Sequence, residues 1–89
     1  MLTIAPAVSA DAPTILHLIQ SLAEYEKLSH EVVATEDSLR TALFGETPGA
    51  ECLIAREDGE PVGFALYFHN FSTFLSRRGL YLEDLFIEP

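Results

Sequence analysis

Glu83 and Asp84 stand side by side in Leu80-Tyr81-Leu82-Glu83-Asp84-Leu85-Phe86-Ile87, a run that is otherwise apolar. A strand sends successive side chains to opposite faces, so at least one of the two carboxylates should point toward a sheet face that is normally covered. Burying a carboxylate is costly unless it is paired or used. The residues alone leave two readings open. In one, a carboxylate in a cleft serves as a general base or cation holder, its pKa set by partial burial. In the other, it is hydrogen-bonded to backbone amides at a bulge.

Other chemistry-bearing residues are sparse. His17, His30 and His69 are scattered without partners at ligand spacing, and no metal is expected. Cys52, the only cysteine, sits in the apolar Cys52-Leu53-Ile54-Ala55 and reads as an inert core thiol. It leaves no intrachain disulfide, which fits a reducing compartment. Arg77 and Arg78 offer a contact to a phosphate, or simply a solvated turn.

The elements that must position these residues can be read from pattern. Leu2 to Ala5, ending at Pro6, reads as a short first strand near a sheet edge. Ser9 or Asp11 is the expected cap of a helix with Pro13 in its first turn, and Ile15, Leu18, Ile19 and Leu22 form its buried stripe as far as about Glu26. A second helix is expected after Thr35, with Glu36 and Asp37 in its first turn, Leu39, Ala42 and Leu43 as its apolar side, and Gly45 as its stop. Cys52 to Ala55 reads as a strand, and Asp58-Gly59 as the tight turn of a hairpin. The returning strand places Val62, Phe64, Leu66 and Phe68 on one face, with Gly63, Ala65, Tyr67 and His69 on the other. It should be long and central. A polar connector through Ser76-Arg77-Arg78-Gly79 then leads to a final strand from Leu80 to Ile87. The expected order is β-α-α-β-β-β, an α+β layered fold with a largely antiparallel sheet.

Composition bounds what such a domain can do. With 89 residues, 48% hydrophobic and 21% charged, the chain is a single globular domain with a thin stability margin. Fourteen acidic against five basic residues give a net charge of -9. That field repels nucleic acid and anionic membranes and attracts a small polycation, while also serving plain solubility. No window approaches a membrane span and no basic leader stands at the N-terminus, so the cytoplasm is the expected location.

Tyr81-Leu82-Glu83-Asp84-Leu85-Phe86-Ile87, preceded by Pro61-Val62-Gly63-Phe64-Ala65-Leu66-Tyr67-Phe68, resembles the third and fourth strands of the GNAT acetyltransferase superfamily. Leu22-Ala23-Glu24-Tyr25-Glu26-Lys27 is similar to the diamine (spermidine/spermine) acetyltransferase subgroup. The resemblance runs through the entire chain in the expected order. It implies acetyl transfer from acetyl-coenzyme A to a primary amine of a polyamine or of a related small amine such as thialysine. It also implies roles. The backbone at Leu85, Phe86 and Ile87 would lie beside the pantetheine arm like a further strand, one N–H polarising the thioester carbonyl. Glu83 would hold the amine and help to remove its proton, with Tyr25 and Glu26 completing the substrate site.

An alkylamine has a pKa near ~10.4 and arrives charged, so it must lose a proton before it can attack a thioester. A carboxylate suits both tasks. The resemblance further implies a glycine-rich pyrophosphate loop, Q/R-x-x-G-x-G/A, after the last strand, and a tyrosine general acid beyond it; neither lies within residues 1–89. The domain is therefore expected to be a truncated N-terminal half without turnover of its own, and a homodimer when full length. Two alternatives stay open: a GNAT enzyme acting on an amino acid, an antibiotic or a protein N-terminus, and a small acidic binding module without catalysis.

Overall fold

The computed structural model describes residues 1–89. Its elements are β1 (Leu2–Pro6), α1 (Ala12–Tyr25), α2 (Glu36–Phe44), β2 (Glu51–Glu57), β3 (Glu60–Ser72) and β4 (Arg77–Ile87), with short 3-10 turns at Ser9–Asp11 and Ser29–Glu31. The strands form one sheet in the order β1-β2-β3-β4, each antiparallel to its neighbour. This is the expected α+β arrangement.

Local chemistry accounts for most of the boundaries. Thr35 caps α2: its Oγ1 accepts from the Ser38 N–H at 3.0 Å, and the Thr35 N–H donates back to Ser38 Oγ at 2.9 Å. Asp11 occupies the cap position of α1 without capping it. Its carboxylate instead accepts from the Val8 N–H at 2.9 Å and meets Arg56 of β2 at 2.9 Å, tying the helix entry to the sheet. Asp58 and Gly59 have φ of 49° and 87°, the pair of positive angles a two-residue turn requires to match the twist of its strands. The second hairpin turns over Thr73 to Ser76, with Ser76 at φ 52°, and Ser72 pairs directly with Arg77. Arg77 to Gly79 therefore belong to β4 and not to a connector; pairing with β3 extends the strand where polarity alone suggested loop.

Both helices pack on one face of the sheet. Ile15 and Leu18 from α1, Leu39 and Leu43 from α2, and Cys52, Ile54, Phe64 and Phe86 from the strands make a single core cluster. Ala42, expected on the apolar side of α2, is exposed. Gly63 is required by close approach: a Cβ there would collide with the Phe86 carbonyl and the Ile87 side chain. The opposite face has no helical cover. Leu2, Ile4, Leu80, Leu82, Leu85 and Ile87 are each 52–66% exposed.

Which β4 residue takes which face is decided by a bulge. Leu82 pairs with Tyr67 and Asp84 with Leu66, so Glu83 is an extra residue with no partner on β3. Strict alternation would have grouped Leu80, Leu82, Asp84 and Phe86. One inserted residue inverts the parity beyond it, so that Leu80, Leu82, Leu85 and Ile87 share the open face, and Tyr81, Asp84 and Phe86 share the helix face. A second irregularity leaves Val62 of β3 without a partner opposite Ala55 and Arg56.

Candidate active site

The end of α1 supplies one wall. Glu26 terminates the helix, and Lys27 then adopts φ 62°. The Lys27 N–H bonds the Glu24 carbonyl at 3.0 Å and the Leu28 N–H bonds the Ala23 carbonyl at 2.7 Å. This left-handed termination satisfies the last carbonyls and fixes where Tyr25 and Glu26 emerge. The Tyr25 ring is tilted 53° against Phe86 with centroids 6.4 Å apart, although Tyr25 itself is 73% exposed.

β4 supplies the other wall. Leu22, Tyr25 and Glu26 of the helix end and Leu85, Phe86, Ile87 and Pro89 line a depression of about 370 Å³. Five of the six residues named from sequence therefore meet in one place. Glu83 does not line it; it is the unpartnered bulge residue, exposed to solvent.

Asp84 is the carboxylate turned toward the helix side. Together with Leu22, Glu26, Leu28 and Glu31 it lines an adjoining hollow of about 170 Å³. Partial burial pushes its pKa above the ordinary aspartate value, and the charges of Glu83 and Glu26 push it further in the same direction. Burial favours the protonated acid because the carboxylate loses water; the neighbouring acids favour it because like charges repel. A cation entering the hollow beside Asp84 and Glu26 would offset both effects by favouring the charged carboxylate.

Asp84 had an available signal. Grouping the aliphatic residues of Leu80 to Ile87 on one side is possible only if one residue is left over, and leaving out Glu83 places Asp84 with Tyr81 and Phe86. That count needed the partner strand to choose it.

β4 lies at the sheet edge, bonded to β3 alone. Its outward backbone groups are thus free to pair with an extended, amide-bearing ligand, the geometry by which strands recognise peptide-like chains. No group of histidines, Cys52 and carboxylates gathers as a metal site. Arg77 and Arg78 lie at the far end of β4 from the depression.

Thialysine N-epsilon-acetyltransferase of Bos taurus is 45% identical over 93% of this chain and 53% of its own length. The chain matches part of a GNAT N-acetyltransferase. Spermidine/spermine N(1)-acetyltransferase-like protein 1 of Homo sapiens is 33% identical, over 91% of this chain and 12% of that protein. A crystal structure of the ribosomal-protein-alanine N-acetyltransferase of Brucella melitensis superposes with a TM-score of 0.75 at 22% identity, covering 99% of this chain and 57% of that one. No family model matches the chain. The chain thus spans about half the length of the thialysine N-epsilon-acetyltransferase it matches, and the GNAT fold is present as far as its fourth strand.

Proposed function

We propose that these residues form the amine side and the first part of the thioester cradle of an N-acetyltransferase, which moves an acetyl group from acetyl-coenzyme A to a primary amine. One observation supports this above the others: Tyr25 and Glu26 at the end of α1 and the free edge of β4 border the same depression. Acetyl-coenzyme A would supply an activated acyl group, held along Leu85, Phe86 and Ile87.

The chain's own residues would do the rest. Asp84 and Glu26 attract and orient the ammonium. Asp84, which lines the hollow, accepts its proton directly or through water, and Glu83, exposed at the bulge, would take part only through water, since only the neutral amine carries the lone pair that bonds to the acyl carbon. A β4 backbone N–H donates to the carbonyl oxygen as negative charge grows there. As the C–N bond forms and the C–S bond breaks, the sulfur needs a proton, and none of the 89 residues is assigned that task. Because the chain spans 53% of the thialysine N-epsilon-acetyltransferase it matches, we read residues 1–89 as one half of the GNAT domain and expect no turnover from them alone.

The acceptor we favour is a polyamine or a lysine-like amine such as thialysine, because Glu26, Glu31 and Asp84 line one hollow in a chain of net charge -9. Such a protein would work in the cytoplasm and pair with a second copy of itself.

Calorimetry tests the reading. Acetyl-coenzyme A and spermidine should each bind the purified chain. Asp84→Asn should weaken spermidine at least about threefold, since a charged hydrogen-bond partner contributes roughly 1.5–3 kcal/mol when well placed and less when half exposed. It should leave acetyl-coenzyme A unaffected. Heat from spermidine with none from acetyl-coenzyme A would replace the enzyme reading with a non-catalytic amine-binding module. An acetylation panel of amino acids, aminoglycosides and peptide N-termini, run on the full-length gene product, separates the other acceptor classes.

A further inference from the structure

The helix face of β4 carries an aromatic pair that acyl transfer itself does not need. Phe68 and Tyr81 are direct partners across β3 and β4, and their rings stack with centroids 4.9 Å apart and planes 28° apart. Tyr81 is 50% exposed, so the pair is a preformed platform open to solvent and not part of the core.

Its place relative to the carboxylates gives it meaning. The bulge at Glu83 puts Tyr81 on the same face as Asp84. The platform lies two positions along β3 and three along β4 from the Leu66–Asp84 pair, a span on the order of 7–10 Å at the usual rise of a strand. An aromatic face attracts cations through its quadrupole. A carboxylate at one end and a π surface at the other complement a molecule with two positive charges.

We propose that the Phe68–Tyr81 stack holds the second cationic centre of the acceptor, so that the site selects amines bearing another positive charge roughly 7–10 Å from the reacting nitrogen. This rests on the acceptor site at Asp84 described above. Tyr81 and Phe68 are then specificity-determining residues that touch substrate away from the reacting atoms.

Calorimetry on the purified chain with hexylamine, α,ω-diaminohexane and α,ω-diaminopropane reads the effect. The hexane diamine should bind about two- to fivefold more tightly than either of the others, the gain an exposed cation–π contact confers. Tyr81→Leu should erase that preference while leaving hexylamine unchanged, and Tyr81→Phe, which keeps the π face, should retain it. Equal affinity for all three amines would overturn the proposal, as would an equal loss for hexylamine and the diamine in Tyr81→Leu. The Asp84→Asn chain distinguishes the two levels of argument. If it loses hexylamine while the wild-type chain shows no length preference, only the aromatic assignment fails; if hexylamine binding ignores the substitution, the acceptor site fails with it.

Discussion

Asp84 and Cys52 show how burial tunes single groups in opposite senses of usefulness. For Asp84 the raised pKa means that the folded chain binds a proton more readily than the unfolded chain. Stability must then fall as pH rises through the window between the ordinary aspartate value and the raised one. Asp84→Asn removes the charge penalty, so thermal melts should show the variant more stable than the parent at neutral pH. The two should converge in acid, where the parent is protonated as well. Cys52 is pushed up to about 11, chiefly by burial and secondarily by the Asp11 charge, and it is only 5% exposed. The thiolate is the nucleophile, so iodoacetamide at neutral pH should leave the native chain unmodified and label it rapidly in denaturant. Fast labelling without denaturant would show that the core opens readily.

At the scale of elements, the β4 bulge governs the site, and its effect lies in the residue count more than in the side chain. Glu83→Ala keeps the count and should change stability by no more than about 0.5 kcal/mol, as exposed substitutions usually do. Deleting Glu83 restores alternation and would swing either Asp84 and Phe86 or Tyr81 to the wrong face. Losing the Phe86 contact to Phe64 is comparable to a core aromatic truncation, about 3–5 kcal/mol, which a domain of this size does not withstand. Circular dichroism should therefore show a folded Glu83→Ala chain and an unfolded deletion. A cooperative melt from the deletion would mean that the register adapts and that the bulge is not what sorts β4.

The whole molecule is a one-sided structure. Only 11 of its 89 residues are buried, most of them between the helices and one sheet face, and the other face is an aliphatic surface spread over β1 and β4. Exposed aliphatic side chains on β4, next to its free edge, favour association. Light scattering should show self-association that grows with concentration. Leu80→Lys with Leu82→Lys should suppress it without lowering the melting temperature, because both side chains are already more than half exposed. A stable monomer at high concentration would show that the open face is harmless. The net charge of -9 opposes association at low salt, so added salt should promote it.

What could be read from sequence was local. The apolar stripe of α1, the Thr35 cap, the Asp58-Gly59 turn and the order of elements each depend on residues within a few positions of one another. The place of Tyr25 and Glu26 against Leu85 to Ile87 came from likeness to a family of known fold. Which of two adjacent carboxylates faces the helices, where β4 starts, and which aromatic rings share a face with Asp84 were left to the tertiary structure. Side-chain direction in a strand is a matter of parity, and one residue, Glu83, left unpaired by Leu66 and Tyr67 of a different strand inverts it while leaving the local pattern unchanged.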